Sequence, residues 1–213
     1  SLAGLLFTLQ QRGLFRGLEE IRAVNATLSR QNLKVVIPML VDPEGGNASG
    51  TATGLYAGEW TLKVDATMAD GTVLYTGQTK VMVVSNKECH VELTLRAVGT
   101  LDITMDIALL LAKGLEVTGG KIGIYEDPTS GSATYKDMVR EGEGAAAVIH
   151  GVVNNLAAMT YDARVVIPQV TNALFTSEYF QFSIQPGRTT TVHLAADGHV
   201  VVDVTIVPEP GQV

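Results

Sequence analysis

The sequence has few of the residues that most catalytic, metal-binding and nucleic-acid-binding sites require. One cysteine in 213 residues rules out an intrachain disulfide and a cysteine-based metal cluster. Charged residues make up only 17% of the chain, and its net charge is −7. No cluster of lysine or arginine offsets this negative charge, so we predict no nucleic-acid partner.

Long hydrophobic runs are also missing. A membrane-spanning helix needs about 20 apolar residues, and the longest candidate run, IALLLA at 107–112, is far shorter. We therefore expect no membrane span. The chain starts at Ser1 without a methionine and shows no signal peptide, which indicates a mature form whose signal peptide was removed, or a trimmed chain.

The two halves of the sequence share one apolar pattern. An offset of 101 residues aligns GTATGLYAGEWTLKVDA, from Gly50, with GVVNNLAAMTYDARVVI, from Gly151. Held without a gap, it also aligns RGL at 12–14 with KGL at 113–115, and it matches these pairs: Leu55 with Leu156, Trp60 with Tyr161, Val64 with Val165, Val91 with Val192 and Leu93 with Leu194. We predict two related domains, 1–99 and 100–199, followed by an extra strand and tail at 200–213.

Both halves have the pattern of β-strands. Apolar and polar residues alternate in WTLKVDA at 60–66, in YDARVVI at 161–167 and in ECHVELTL at 88–95. Turn signals recur at short intervals: Asp42-Pro43-Glu44-Gly45-Gly46, Asp70-Gly71, Asn154-Asn155 and Asp197-Gly198. The predicted fold is all-β, with two tandem β-sandwich domains whose cores contain Trp60 and Tyr161.

Two segments fit more than one secondary structure. The leucines of SLAGLLFTLQ at 1–10 have helical spacing, whereas its repeat mate, LDITMDIALLL at 101–111, alternates like a strand as far as Leu109. We favour a strand for both. The segment KDMVREGEGAAAVIH at 136–150 leaves room for a helical turn before its strand.

The stretch from Ser49 to Leu95 carries three motifs that resemble a known family. They are LYAGEW at 55–60, DGTVLYTG at 70–77 and VELTL at 91–95. The pattern resembles the immunoglobulin-like or transthyretin-like (carboxypeptidase-regulatory-type) β-sandwich modules of bacterial surface proteins and lipoproteins. The second half departs from it, since Met159 stands where Gly58 does. The resemblance implies a non-catalytic module for display, adhesion or assembly, located outside the cell or on its surface.

No residue pattern indicates catalysis. The four histidines, His90, His150, His193 and His199, form no spacing with each other or with a carboxylate that is typical of a metal or catalytic site. We expect His90 and His193 on the polar faces of their strands and His150 and His199 near strand ends. Alternation turns Cys89 towards the core as an inert thiol. We predict that the chain is not an enzyme and has no cofactor.

Two other kinds of site have candidate residues in the sequence. Asp42, Glu44 and Asn47 are the best candidates for a calcium site, with Asp102 and Asp106 as a second choice, because calcium is bound by oxygen ligands. Turn formation and solubility explain the same residues. Asn25 and Asn47 each begin an N-glycosylation sequon, and a Gly-rich loop makes Asn47 the better candidate.

The segment VVVDVTIV at 200–207 aligns, at the offset of 101, with the strand that opens the second half. The alignment predicts that this segment is the first strand of a further unit. Its residues Val200, Val201, Val202, Val204 and Ile206 are our candidates for an assembly strand.

Donated to a neighbouring copy, this strand would build a filament. Alternatively, it pairs within its own chain or begins a longer array. The leading functional hypothesis is therefore a self-associating structural subunit of an extracellular assembly. The alternative is a surface module that binds a carbohydrate or protein, or an accessory domain of a larger secreted protein.

Overall fold

The protein is nearly all β-structure, with mostly antiparallel sheets. The structure, a computed structural model, describes residues 5–8, 20–42, 47–127, 129, 131–168, 174–195 and 200–205. The chain divides into two compact units, Ser1–Val98 and Gly99–Val213.

Unit 1 contains eight complete strands among the described residues. They are β1 (Leu5–Thr8), β2 (Ala23–Arg30), β3 (Leu33–Pro38), β4 (Leu40–Asp42), β5 (Asn47–Ala52), β6 (Gly58–Thr67), β7 (Val73–Val83) and β8 (Cys89–Glu92). One sheet has the order β4-β5-β1-β8, and the other contains β3-β2-β6-β7. Strand β9 (Arg96–Asp106) begins in unit 1, where Ala97 stands opposite Tyr75 of β7.

A single apolar core lies between the strands of unit 1. Its members alternate along β2 and β6 and are joined by residues from β5 and β7. The fully buried side chains include Trp60, Leu28 and Leu62. The period-two pattern of the sequence places these residues on one face of each strand, which explains why WTLKVDA forms a strand there.

Unit 2 is built from the rest of β9 and eight further strands. They are β10 (Gly119–Tyr125), β11 (Thr134–Glu141), β12 (Val148–Ala157), β13 (Thr160–Pro168), β14 (Leu174–Thr176), β15 (Phe180–Ser183), β16 (Thr189–Leu194) and β17 (Val200–Thr205). The order β17-β16-β9-β12-β11-β10-β13 forms one continuous sheet, and β14 and β15 share the other edge of β13. Its core includes Ile103, Ile122 and Val165.

Trp60 and Tyr161, both predicted to lie in the cores, make the same kind of hydrogen bond to the backbone. Trp60 Nε1 donates to the carbonyl of Tyr56 at 2.9 Å, and Tyr161 Oη donates to the carbonyl of Ala157 at 2.9 Å. Both pairs are four residues apart and match at the offset of 101. Trp60 and Tyr161 are 2% and 3% exposed, so their predicted core positions are confirmed.

The gapless repeat fails near the N-terminus. Strand β1 pairs in parallel with β8, with Leu5 opposite Cys89, just as β9 pairs in parallel with β16, with Leu101 opposite Thr190. Leu5 therefore corresponds to Leu101, an offset of 96 rather than 101. The alignment of 12–14 with 113–115 stays a prediction, because residues 12–14 lie outside the described part of the chain.

Several local predictions are corrected or confirmed. A strand at the N-terminus is confirmed by β1, and a helical turn within 136–150 by a 3₁₀ turn at Gly144–Ala146. The strand predicted through Leu109 is wrong beyond Asp106, because a short helix α1 (Ala108–Ala112) begins there. The turn predicted at Asn154-Asn155 is also wrong: both residues lie inside β12, where Asn155 has φ 61°.

Two segments of unit 2 approach each other closely at Gly99. A Cβ at Gly99 would clash with the carbonyl oxygen of Gln185 and would lie 2.9 Å from that of Arg188. Because backbone cannot yield as a side chain can, we expect Gly99→Ala to lower the free energy of unfolding by about 2–3 kcal/mol. Urea unfolding measures this.

Gly50→Ala is the matched control for this substitution. Its nearest neighbour would be the side-chain Cγ of Met39 at 3.3 Å, which can adjust. We expect a change below about 1 kcal/mol. Equal effects of the two substitutions would contradict the close approach at Gly99.

Candidate interaction surfaces

The predicted assembly strand is paired within its own chain. In β17, Val200, Val202 and Val204 stand opposite Leu194, Val192 and Thr190 of β16, in antiparallel register. Val201 also lies in β17, and Ile206 falls outside the described residues. Of the three arrangements considered from the sequence, the structure contains the intrachain pair, and donation to a neighbouring copy stays a prediction.

The direction of each backbone group in β17 follows from one hydrogen bond. The Thr100 amide donates to the carbonyl of Arg188 at 2.9 Å, across the parallel pair of β9 and β16. Residues 188, 190, 192 and 194 therefore direct their backbone groups towards β9, and 189, 191 and 193 direct theirs towards β17. In the antiparallel pair, 201, 203 and 205 then face β16, while 200, 202 and 204 face away from it.

This outer edge of β17 is unpaired among the described strands. A sheet edge presents a row of N–H and C=O groups that can accept another strand. The edge is thus a geometric site for strand addition, although the strand is not detached from its own sheet.

A histidine and two carboxylates meet on the outer face of unit 2. His150 lies near the start of β12, with its Nε2 2.9 Å from Asp102 Oδ1 of β9 and its Nδ1 3.1 Å from Glu141 Oε1 of β11. The hydrogen bond to Glu141 raises the pKa of His150 most, and Asp102 adds to it, while partial burial opposes it. The predicted place near a strand end is confirmed, and both carboxylate partners lie far from His150 along the chain, at separations of 48 and 9 residues that its sequence spacing did not reveal.

Three tyrosines and an arginine form a second cluster on unit 2. The rings of Tyr125 and Tyr179 meet edge to face at 5.6 Å, and the guanidinium of Arg164 lies 5.2 Å from the centre of the Tyr179 ring. Tyr135 Oη lies 3.5 Å from Tyr125 Oη. The Nε of Arg164 is buried and has no hydrogen-bond partner among the described residues.

Two of these tyrosine rings face solvent. Tyr135 is 49% exposed and Tyr179 is 53% exposed, whereas Tyr125 is buried beneath them. The cluster forms because Gly123 stands between Arg164 and Tyr135 in the register of three neighbouring strands. A Cβ at Gly123 would come within 2.9 Å of the Tyr135 ring, so glycine permits the ring to lie against the sheet.

The calcium site stays a prediction, since one of its three main candidates lies outside the described residues. Asp42 and Asn47 stand opposite each other in β4 and β5, and Glu44 lies outside the described residues. Asp106 accepts a hydrogen bond from the amide of Ala108 at 2.9 Å, at the start of α1, while Asp102 contacts His150. Among the residues described, no three His, Cys, Asp or Glu side chains form a group suited to a metal ion.

The remaining candidates occupy strands. Asn25 lies in β2, and Asn47 begins β5 rather than lying in a loop, and glycosylation at either stays a prediction. His90 and His193 are exposed on strand faces, as predicted. Cys89 packs against the core of unit 1 but is only half-buried. Position 199 falls outside the described residues.

The sequence signal for the two surface clusters was weak. Tyr125, Tyr135 and Arg164 are far apart along the chain, and only the pairing of β10, β11 and β13 brings them together. His150 and Asp102 likewise meet only across β9 and β12. Alternation within one strand predicts which face a residue occupies, and it says nothing about which strands are neighbours.

Comparisons with known proteins identify no family. No family model and no curated protein sequence matches the chain. Among solved structures, the chain is similar to the Bacillus anthracis TIE protein (17% identity, 92% of this chain and 34% of that one, TM-score 0.33). It is also similar to a fimbrial assembly protein from Parabacteroides distasonis (8% identity, 97% and 98%, TM-score 0.32) and to the major pilin subunit of Bacillus cereus (9% identity, 92% and 70%, TM-score 0.28).

At these identities and TM-scores, the similarities assign neither a family nor a role to the chain. The chain spans about a third of the length of the Bacillus anthracis protein. Within the described residues, no helix is long and apolar enough to cross a bilayer.

The His150 cluster predicts a dependence of stability on pH. Because the folded state raises the pKa of His150, the charged imidazole contributes stability below its unfolded pKa, and this contribution is lost as pH rises through the folded pKa. Urea unfolding from about pH 5.5 to about pH 8.5 should therefore show a decline that His150→Gln reduces. His193→Gln, at an exposed histidine, is the control and should leave the decline intact. An unchanged decline in the His150 variant would contradict the assignment.

Proposed function

We propose that this protein is a structural subunit of an extracellular or cell-surface assembly, whose copies join by strand addition at β17. The observation that carries the proposal is the unpaired outer edge of β17, formed by the backbone groups of Val200, Val202 and Val204. The proposal includes no catalytic step and no cofactor.

Each unit, in this proposal, is a β-sandwich of the immunoglobulin-like or transthyretin-like kind. The two sheets of unit 1, with strands on either side contributing to one core, support this assignment. The shared contact of Trp60 and Tyr161 with a carbonyl four residues earlier supports two related units. Tandem modules of this kind place an edge strand at a defined position in each copy.

Strand addition satisfies backbone groups without requiring a pocket. Each inter-strand hydrogen bond contributes about 0.5–1.5 kcal/mol net, so several in one edge reach a useful affinity. An edge of one copy that meets a different edge of the next copy is a head-to-tail contact. Such contacts build open filaments unless the rotation closes a ring.

The chemistry of β17 fits this role. Its sequence, VVVDVT, is rich in β-branched residues and has a single charge, at Asp203. Strands with these properties pair readily with other strands, and natural proteins usually protect such edges with lysine, proline or a bulge. None of these protective devices occurs in residues 200–205.

A second candidate function rests on the cluster of Tyr125, Tyr135, Tyr179 and Arg164. Exposed tyrosines held by an arginine are typical of binding surfaces, since rigid aromatic side chains lose little entropy on contact. The side chains of Gln181 and Asp162, hydrogen-bonded to each other at 3.1 Å, lie on the strands next to it. These flat rings and hydrogen-bonding groups would suit a carbohydrate.

The carbohydrate hypothesis can be tested on a glycan array. A bound glycan should lose about tenfold or more in affinity with Tyr179→Ala, because a buried aromatic contact contributes about 1–2 kcal/mol. Tyr56→Ala is the matched control: Tyr56 is 70% exposed in unit 1 and lies outside the cluster. Silence of the array, or equal losses in both variants, would reject the hypothesis.

Two proline substitutions test the assembly proposal. The amide of Val202 faces the outer edge and that of Asp203 faces β16, so Val202→Pro removes a donor from the edge and leaves the β16 pairs in place. We expect the unmodified chain to form oligomers, seen by sedimentation and electron microscopy. Val202→Pro should stay folded and associate about tenfold more weakly or worse. Asp203→Pro should instead lower the unfolding midpoint, because it removes a bond to β16.

The outcomes separate assembly from folding. A chain that stays monomeric at high concentration overturns the proposal, and so does a folded Val202→Pro variant that assembles like the unmodified chain. Should Val202→Pro fail to fold, Val204→Pro removes the next outward donor and serves the same test.

A further inference from the structure

The strands β8 and β16, which correspond at the offset of 101, are covered differently in the two units. In unit 2, β16 is paired with β9 on one edge and with β17 on the other. In unit 1, the corresponding strand β8 is paired with β1, the counterpart of β9. Among the described strands, none lies on the edge of β8 that corresponds to the one β17 covers.

The burial of the two strands differs in the same sense. In β16, Thr190, Val192 and Leu194 are 0%, 0% and 3% exposed. Their counterparts at the offset of 101 are Cys89 and Val91 in β8 and Leu93 directly after it, which pack against the core of unit 1 but are only half-buried. Unit 1 thus has an apolar strand at an open edge, where unit 2 has the same strand position covered.

The backbone directions decide how a strand can add to this edge. By the repeat, residues 90 and 92 of β8 correspond to 191 and 193, whose backbone groups face away from the parallel partner. Residues 90 and 92 are solvent-facing, whereas 200, 202 and 204, whose backbone groups face outward in β17, stand opposite buried residues of β16.

Only parallel pairing keeps the apolar faces together. In an antiparallel pair, residues whose backbone groups face each other stand directly opposite and share one face of the sheet. Solvent-facing His90 would then share a face with Val202, which stands opposite a buried residue of β16. In a parallel pair, a residue whose backbone groups face the partner strand stands opposite a partner residue whose backbone groups face away. His90 would therefore stand beside residue 201, 203 or 205 of β17. Parallel pairing is also what β1–β8 and β9–β16 already use.

Charge selects one register among the parallel ones. With His90 opposite Asp203, a histidine stands in register with an acidic residue, and the apolar residues match as Cys89 with Val202 and Val91 with Val204. A shift by two residues would instead place Glu92 beside Asp203, two like charges on neighbouring strands.

We propose that the open edge of β8 is the acceptor for β17 of a second copy of this chain, in parallel register with His90 beside Asp203. The inference rests on the proposed function and adds to it the acceptor edge and the register. It requires no strand to leave its own sheet, because β17 keeps its pairing with β16 and uses its outer edge.

The single native cysteine makes this register testable. Val202→Cys would place a thiol opposite Cys89 of the neighbouring copy. Under mild oxidation, we expect the variant to form disulfide-linked dimers, trimers and longer species on a non-reducing gel. The ladder should disappear in the double variant Cys89→Ser with Val202→Cys, and it should weaken at least several-fold with Val204→Cys, which in this register lies opposite Val91.

The rival acceptor is β3, the end strand of the other sheet of unit 1. It presents exposed Leu33 and Lys34, although Pro38 removes one donor from it. The triple variant Cys89→Ser, Leu33→Cys and Val202→Cys tests it directly. A ladder in this variant, without one from Val202→Cys alone, overturns the β8 inference and leaves assembly through β17 standing.

Two further results would each overturn the inference. A Val202→Cys product that stops at a dimer and persists with Cys89→Ser reports a contact between two β17 strands and overturns the head-to-tail arrangement. Strictly monomeric chains, before and after oxidation, overturn both the inference and the proposed function. Unfolding midpoints equal to that of the unmodified chain show that each variant is folded.

Discussion

Satisfying the backbone groups at strand edges is the constraint on which the rest of this structure depends. A buried N–H or C=O without a partner costs about 1–3 kcal/mol, so every strand in a core-forming sheet needs neighbours or water at its edges. In this chain β16 has two neighbouring strands, whereas β8 has one among the described residues. The same strand position is therefore complete in one unit and open in the other, and the half-buried residues of β8 follow from that difference.

The two units share one core contact and differ in how the chain continues after corresponding strands. Trp60 and Tyr161 occupy equivalent core positions with equivalent hydrogen bonds. After β8, however, the chain passes directly into β9, whose first residues pair with β7. Gly77 permits this passage, since a Cβ there would lie 2.9 Å from the side chain of Leu95. After β16 the chain instead turns back, and β17 pairs with it. The strands β8 and β16 thus have different neighbours, because the chain continues from them into different segments.

How much the sequence predicts depends on whether a feature is local. Alternation identified β6, β13 and the core positions of Trp60 and Tyr161, because the side-chain period of a strand is set by its own backbone. Local patterns failed at Asn154-Asn155, where two turn-forming residues lie inside β12, and after Asp106, where a helix replaces the strand. The cluster at His150 and the one at Tyr179 depend on strand order and register, which a single sequence without internal landmarks does not specify. The offset of 101 aligned β17 with the strand that opens the second half, whereas the structure pairs it with β16 of the same chain, so this alignment did not specify the partner strand either.

The parallel pairing of β9 with β16 also determines how unit 2 would respond to tension. A pull applied at the start of β9 and at the end of β16 acts along two parallel neighbours in opposite directions, so all six registered positions from Thr100–Thr189 to Met105–Leu194 are sheared at once. The antiparallel pair of β16 and β17 is loaded differently: a pull from the far end of β17 opens it one residue at a time. Under force, β17 would separate from β16 first, while the parallel pair of β9 and β16 keeps the core of the unit closed.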